Sequence, residues 1–87
     1  MTINIYGNYQ VKMTTKGASL DEYGDFKDFE YKEQQTLDGG KLLEQLKIIL
    51  ASSWIQAIII TDKIIKVEIF NAMTGEGENV IYEIEEL

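Results

Sequence analysis

The one clear helical pattern in this sequence is DGGKLLEQLKIILASSWIQA, which covers residues 38–57. At about 100° per residue, a single broad apolar face collects the positions Leu42, Leu43, Leu46, Ile49, Leu50, Trp54 and Ala57. Asp38 precedes the pattern, where a short carboxylate accepts hydrogen bonds from the unpaired N–H groups at a helix start. The pattern predicts a helix from Gly39 or Gly40 to Gln56, with Asp38 as its N-cap.

Two strands are predicted before this helix. Alternating apolar residues favour one strand over about Thr2 to Thr15, bent at Gly7, although Gly7-Asn8 could also form a tight hairpin turn. Lys16 to Gly24 is typical of a loop. Asp28 to Gln35 forms the second strand, and its low apolar content favours a sheet edge or a well-solvated face.

After the helix the chain becomes rich in β-branched residues, which favour strands. One strand is predicted over Ile64 to Asn71 and a final one from Val80 to Glu85, joined by a hairpin loop from Thr74 to Asn79. The segment Ile58 to Thr61 is either the last helical turn or a short extra strand.

These elements predict an α+β fold: a single two-layer domain over residues 1–87 with the order ββαββ. An antiparallel sheet of about four strands packs on the one helix. The apolar helix face and one apolar row from each strand then form a common core.

Residue types that are absent restrict the function. The 87-residue chain has no cysteine and no histidine, and all of its 8 basic residues are lysines. Zinc–thiolate sites, cysteine nucleophiles and histidine general bases are therefore excluded. We expect no catalytic residues, no cofactor and no enzyme activity.

Carboxylates crowd the segment from Asp21 to Glu30, which raises the question of a calcium or magnesium site. The spacing does not fit an EF-hand loop, which needs acidic residues at fixed positions and a central glycine. A solvated acidic loop is the favoured interpretation, and no metal site is predicted.

The net charge of −7 and the pI near 4.4 argue against direct nucleic-acid or anionic-membrane binding, which needs clustered basic residues. The start of the chain resembles strand sequence and not a cleavable leader. The longest apolar run, Ala57 to Ile60, is too short to cross a bilayer. The expected location is the cytoplasm.

Acidic residues concentrate in residues 21–33 and after Lys66, where no further basic residue follows. If Lys66 and Glu68 face outward beside Glu83 and Glu85, the last hairpin presents a negative surface, which either fits a basic partner or only protects a sheet edge. Tyr23, Phe26 and Phe29 lie beside carboxylates and could form a protein-binding patch, although core packing is favoured for Phe29 and Tyr31. The candidate partner-binding residues are Asp21, Glu22, Tyr23, Asp25, Phe26, Asp28, Glu68, Glu76, Glu78, Glu83, Glu85 and Glu86.

The leading hypothesis is a non-catalytic protein-binding module whose acidic face occupies a basic, nucleic-acid-binding surface of a partner protein. The composition resembles that of some phage-encoded inhibitors of host defence nucleases, which implies a phage- or mobile-element-type inhibitor. The alternative is a small self-associating structural or assembly protein, such as a homodimer. Its evidence is four apolar residues on nominally outward faces: Ile48, Ile64, Phe70 and Ile81.

Overall fold

The computed structural model describes residues 1–87 and confirms the α+β class, with one antiparallel sheet and one helix. The predicted four strands in the order ββαββ are wrong, because there are five strands in the order ββαβββ. The additional strand covers Ile55–Ile60, where the sequence left open a short strand at Ile58 to Thr61. The elements are β1 (Asn8–Leu20), β2 (Phe26–Asp38), α1 (Gly39–Leu50), β3 (Ile55–Ile60), β4 (Ile64–Phe70) and β5 (Gly77–Glu86).

The strands are arranged in the order β2-β1-β5-β4-β3, and every neighbouring pair is antiparallel. The first and last strands of the chain therefore lie side by side in the middle of the sheet. β2 and β3 form its two edges. α1 is too short and not apolar enough to cross a membrane.

The first hairpin is longer than the sequence pattern predicted. β1 starts at Asn8, so the expected start at Thr2 is wrong, and most of the expected Lys16 to Gly24 loop is strand. The β1–β2 ladder continues to the pair Leu20 and Phe26. The turn end of the hairpin extends beyond the helix and is open to solvent, so polar side chains are compatible with a strand there.

Residues 1–7 form an irregular segment at the start of α1. The N–H of Asn4 donates to the hydroxyl of Tyr9 at 2.8 Å, and the N–H of Gly39 donates to the carbonyl of Gly7 at 2.9 Å. A Cβ on Gly39 would overlap the carbonyl oxygen of Asn4. Glycine at the helix start is therefore what allows this segment to lie against it.

The predicted N-cap of α1 is confirmed, because Asp38 Oδ1 accepts a hydrogen bond from the N–H of Lys41 at 2.9 Å. The predicted end at Gln56 is wrong, since the helix stops at Leu50 and Gln56 belongs to β3. Trp54 is consequently exposed in the α1–β3 connection and does not pack under the helix. Ala57 is paired with Glu68 in the sheet.

The core lies between α1 and one face of the sheet, which we call the covered face and which carries Val11, Val67 and Tyr82. The opposite face, called the open face, carries Lys12, Lys66 and Glu83. Leu42 and Val67 are completely buried at the centre of the core. The full set of buried apolar residues is Tyr9, Val11, Leu42, Leu46, Ile65, Val67, Val80, Tyr82 and Ile84.

The helix is much shorter than the first hairpin. Twelve helical residues extend about 18 Å, whereas the thirteen residues of β1 extend about 43 Å. α1 can therefore cover only part of the covered face. Side chains on the hairpin beyond the end of α1 remain accessible to solvent.

Tyr82 is buried in this core, and its burial raises the pKa of the phenol above 10.0, with the negative charge of Glu33 raising it further. The Glu33 carboxylate is held by the side-chain amide of Gln35 at 2.7 Å. The folded state disfavours the phenolate, so the neutral phenol of Tyr82 contributes to the free energy of unfolding. This contribution is complete below pH 10.0 and is lost as the pH rises through the raised pKa.

We therefore expect the free energy of unfolding to fall more steeply above pH 10 in the wild type than in Tyr82→Phe. Urea unfolding at intervals from pH 8 to pH 12 measures both slopes. Tyr6→Phe removes an exposed phenol and is the control, which should behave as the wild type. Equal slopes for the wild type and Tyr82→Phe would contradict the expectation.

Candidate protein-binding surface

Two acidic segments that are remote in the sequence meet at one end of the sheet. The pair Ala18 and Gly77 brings the β1–β2 turn beside the β4–β5 loop. The N–H of Leu20 donates to Glu76 Oε2 at 3.3 Å. A Cβ on Gly75 would lie 3.1 Å from Cζ of Phe26, so these two residues are in close proximity. We call residues 21–25 and 71–76, together with Glu78, the acidic tip.

The β1–β2 turn is organised by one carboxylate. Asp21 Oδ1 accepts hydrogen bonds from the N–H groups of Tyr23 at 2.8 Å and Asp25 at 2.9 Å. Asp21 Oδ2 also lies 3.8 Å from the ammonium of Lys27. Asp21 therefore shapes the turn, while Glu22 and Tyr23 are exposed at its surface.

The β4–β5 loop is held in a similar way by Asn71. Its N–H donates to the carbonyl of Glu76 at 2.8 Å, and its side-chain oxygen accepts from the N–H of Met73 at 3.0 Å. The N–H of Glu76 contacts the hydroxyl of Thr74 at 3.2 Å. The loop thus fixes the backbone of Glu76 and leaves Met73 exposed.

Beside the acidic tip, on the covered face beyond α1, lies an open depression of about 250 Å³. Its apolar walls come from Phe29, Trp54 and Ile69, and the carboxyl-bearing residues Glu76 and Glu78 line it as well. Phe29 and Trp54 are both partly exposed here. Apolar walls and two carboxylates therefore share one recess.

The expected core packing of Phe29 and Tyr31 is wrong, because both side chains are exposed. Sequence reasoning also missed Trp54 and Ile69 as lining residues. Alternation did place Phe29 and Tyr31 on a common strand face. No signal in the sequence marks this site, because the helical pattern continues to Gln56 and hides how much of the hairpin α1 leaves uncovered.

The remaining candidate residues lie elsewhere. Asp28 pairs with Ala18 and lies on the open face, and Glu68 lies 3.4 Å from the ammonium of Lys66. Glu86 is 3.5 Å from the hydroxyl of Tyr9. Glu83 and Glu85 are near the opposite end of β5, about 17–24 Å along the strand from Glu78.

The open face carries interleaved charges. In the sheet register, Glu83 is opposite Lys12 on β1 and Ile64 on β4, and Glu68 is opposite Asn79. The glutamates of the last hairpin therefore do not face one another across strands. Lysines from β1 and β4 interrupt the continuous negative surface that the sequence pattern suggested.

No group of three or more acidic side chains is arranged to hold a metal ion, and the chain has no cysteine or histidine to add. Two carboxylates of the acidic tip have partners within the chain: Asp21 accepts from backbone N–H groups and lies near Lys27, and Glu76 accepts from the N–H of Leu20. The arrangement offers negative charge next to apolar walls, which suits recognition of a cationic side chain.

Comparisons with protein-family models, with curated protein sequences and with solved structures give no match to this chain.

Proposed function

We propose that this protein is a non-catalytic binding module whose acidic tip takes a basic segment of a partner protein. The observation that carries the proposal is the convergence of the two acidic segments beside the depression lined by Phe29 and Trp54. Negative charge alone would make many surfaces of this chain candidates for binding a basic segment. At the acidic tip, negative charge lies next to a recess with apolar walls from Phe29, Trp54 and Ile69.

The chemistry of the depression fits a lysine or arginine side chain. The aliphatic stem of such a residue would pack on Phe29 and Trp54, since long cationic side chains bury their stems on apolar surface. A cation near an aromatic ring face gains about 0.5–2 kcal/mol. The charged end would then reach Glu76 or Glu78, where charge-assisted hydrogen bonds form.

Binding of the acidic tip to a basic surface would inhibit a partner that uses this surface to hold nucleic acid. Proteins that bind nucleic acid present clusters of lysine and arginine to phosphate groups. A module with a net charge of −7 is attracted to such a cluster and blocks it by occupation, without any catalytic step. The proposed action is therefore competitive inhibition of a nucleic-acid-binding surface.

The test uses a defined probe, a fluorescent peptide with alternating arginine and leucine residues, at 0.1 M salt. Glu78→Gln removes one charge from the depression, and we expect roughly tenfold weaker binding, because a charge-assisted hydrogen bond contributes about 1.5 kcal/mol or more. Wild-type affinity should also fall as salt rises, since exposed charges are screened over about 10 Å at 0.1 M.

Glu83→Gln is the matched control, because it makes the same charge change on the same strand but outside the acidic tip. It should retain nearly all of the wild-type affinity. Amide shift mapping should show peptide-dependent changes at Trp54 and Glu78. Equal losses in the two variants, or shifts confined to the open face, would overturn the proposal.

A further inference from the structure

The two edges of the sheet differ in how they are protected against pairing with another strand. β2 carries six charged residues along its length: Lys27, Asp28, Glu30, Lys32, Glu33 and Asp38. Charges on an edge strand discourage pairing with another chain. β3 has the sequence IQAIII and carries no charge. Only the β3 edge is left without such protection.

Apolar side chains of β3 are exposed on both faces of the sheet. Ile58 and Ile60 are 45% and 55% exposed on the covered face, and Ile59 is 48% exposed on the open face. α1 starts at the end of β2 and packs closest to β1 and β2, which leaves this part of β3 uncovered. An uncharged edge with isoleucine on both sides is rare in a monomer, because it promotes association.

Backbone N–H and C=O groups at the β3 edge are also available for pairing with another strand. The N–H of Thr61 donates to the carbonyl of Ile64 at 2.8 Å, and Ile59 is opposite Lys66. In an antiparallel ladder, hydrogen-bonded and non-hydrogen-bonded pairs alternate. The N–H and C=O groups of Ile59 therefore point to β4, and those of Ile58 and Ile60 point to the open edge.

We propose that β3 pairs antiparallel with β3 of a second copy, which joins the two sheets into one. Two-fold pairing centred on Ile59 places Ile58 of one copy opposite Ile60 of the other, so the outward backbone groups meet. The same geometry brings the two Ile59 side chains together on the open face. Isoleucines then meet on both faces over residues 58–60, and β3 itself brings no charge into the interface although each chain carries −7.

The alternative copy-to-copy pairing, β3 against β2, fits less well. It would set isoleucines beside the charged residues of β2. It would also leave one free edge at each end, so that copies would add without limit into a filament. Pairing of β3 with itself uses the uncharged edge of both copies and closes at the dimer.

The shape of the protomer supports a second copy as the occupant. Its radius of gyration is 14.4 Å, whereas a compact chain of this length has about 12 Å. Only 10 of its 87 residues are buried. An elongated protomer with so small a core has much to gain from covering further isoleucines.

Sedimentation equilibrium from 1 to 500 µM tests the dimer. We expect the wild type to sediment as a dimer in the upper part of this range, and Ile59→Lys and Ile60→Pro to raise the dissociation constant at least tenfold. Proline at position 60 removes an N–H that points to the open edge and spares the ladder to β4. Far-UV circular dichroism checks that both variants are folded.

Ile64→Lys is the matched control, because Ile64 is 39% exposed on the same open face but lies on an inner strand. It should dimerise as the wild type does. A wild type that is monomeric at 500 µM, species larger than a dimer, or equal dissociation of the control would overturn the proposal.

Hydrogen exchange locates the interface independently. The amides of Ile58 and Ile60 should exchange more slowly as the concentration rises, whereas the amide of Ile59 should be protected at every concentration. The dimer and the proposed binding function can also fail separately. Ile59→Lys should retain binding of the basic peptide, and Glu78→Gln should retain the dimer.

Discussion

Replacement of Leu42 by alanine is expected to lower the free energy of unfolding by about 2–5 kcal/mol, a range typical of a leucine removed from a core. Leu42 is completely buried between α1 and the sheet, in contact with the core cluster that includes Val67. The core is small, so the cavity has few neighbours that could move to fill it. Domains of this size have total stabilities near the low end of 5–15 kcal/mol, so a loss at the upper end of the expected range would unfold much of the population.

Urea unfolding followed by far-UV circular dichroism and by the fluorescence of Trp54 measures the effect. Ile48→Ala is the control, because it lies in the same helix and makes a similar truncation at a side chain that is 72% exposed. The control should change stability by less than about 0.5 kcal/mol. Equal effects of the two substitutions would mean that Leu42 is not buried between α1 and the sheet.

Several elements could be predicted because a local pattern and a tertiary contact agree. The helix start is one example, since Asp38 supplies the N-cap and the following leucines supply the buried face. β4 is another, because Ile65, Val67 and Ile69 alternate with charged residues and lie on the covered face. In both cases the apolar residues that favour the element are also those that it buries.

The end of the helix could not be predicted because its pattern continues by chance into the next element. Trp54 and Ala57 fall on the apolar side of an extended helix, yet the chain leaves the helix after Leu50. Neither glycine nor proline marks this end. The β-branched residues that follow add a fifth strand to the sheet instead, where they pair with β4.

The aromatic depression could not be predicted for a different reason. Alternation identifies which residues share a strand face, but it does not say what covers that face. Phe29 and Tyr31 lie on the same sheet face as Tyr9 and Val11, which are buried, but they lie farther along the hairpin and on the edge strand β2. Their exposure follows from the length of α1, which the sequence pattern overestimated.

Replacement of Gly17 by alanine is expected to destabilise the fold by about 1–3 kcal/mol, the usual cost of inserting a methyl group into a packed site. A Cβ on Gly17 would overlap the carbonyl oxygen of Gly77 and lie 2.9 Å from both Cα and Cβ of Glu78. Most of these contacts are with backbone, which cannot rotate away. β1 and β5 would therefore have to separate next to the acidic tip.

The same displacement should change the proposed binding surface, because Gly77 and Glu78 line the depression. We expect Gly17→Ala to weaken binding of the arginine–leucine peptide even at temperatures where the variant is fully folded. Gly40→Ala makes the same chemical change where the nearest atom, Asp38 Oδ1, is 3.3 Å away and belongs to a side chain. It should leave peptide binding intact and change stability by less than about 1 kcal/mol. If Gly17→Ala lost stability but bound the peptide normally while folded, the result would contradict a binding surface that includes Gly77 and Glu78.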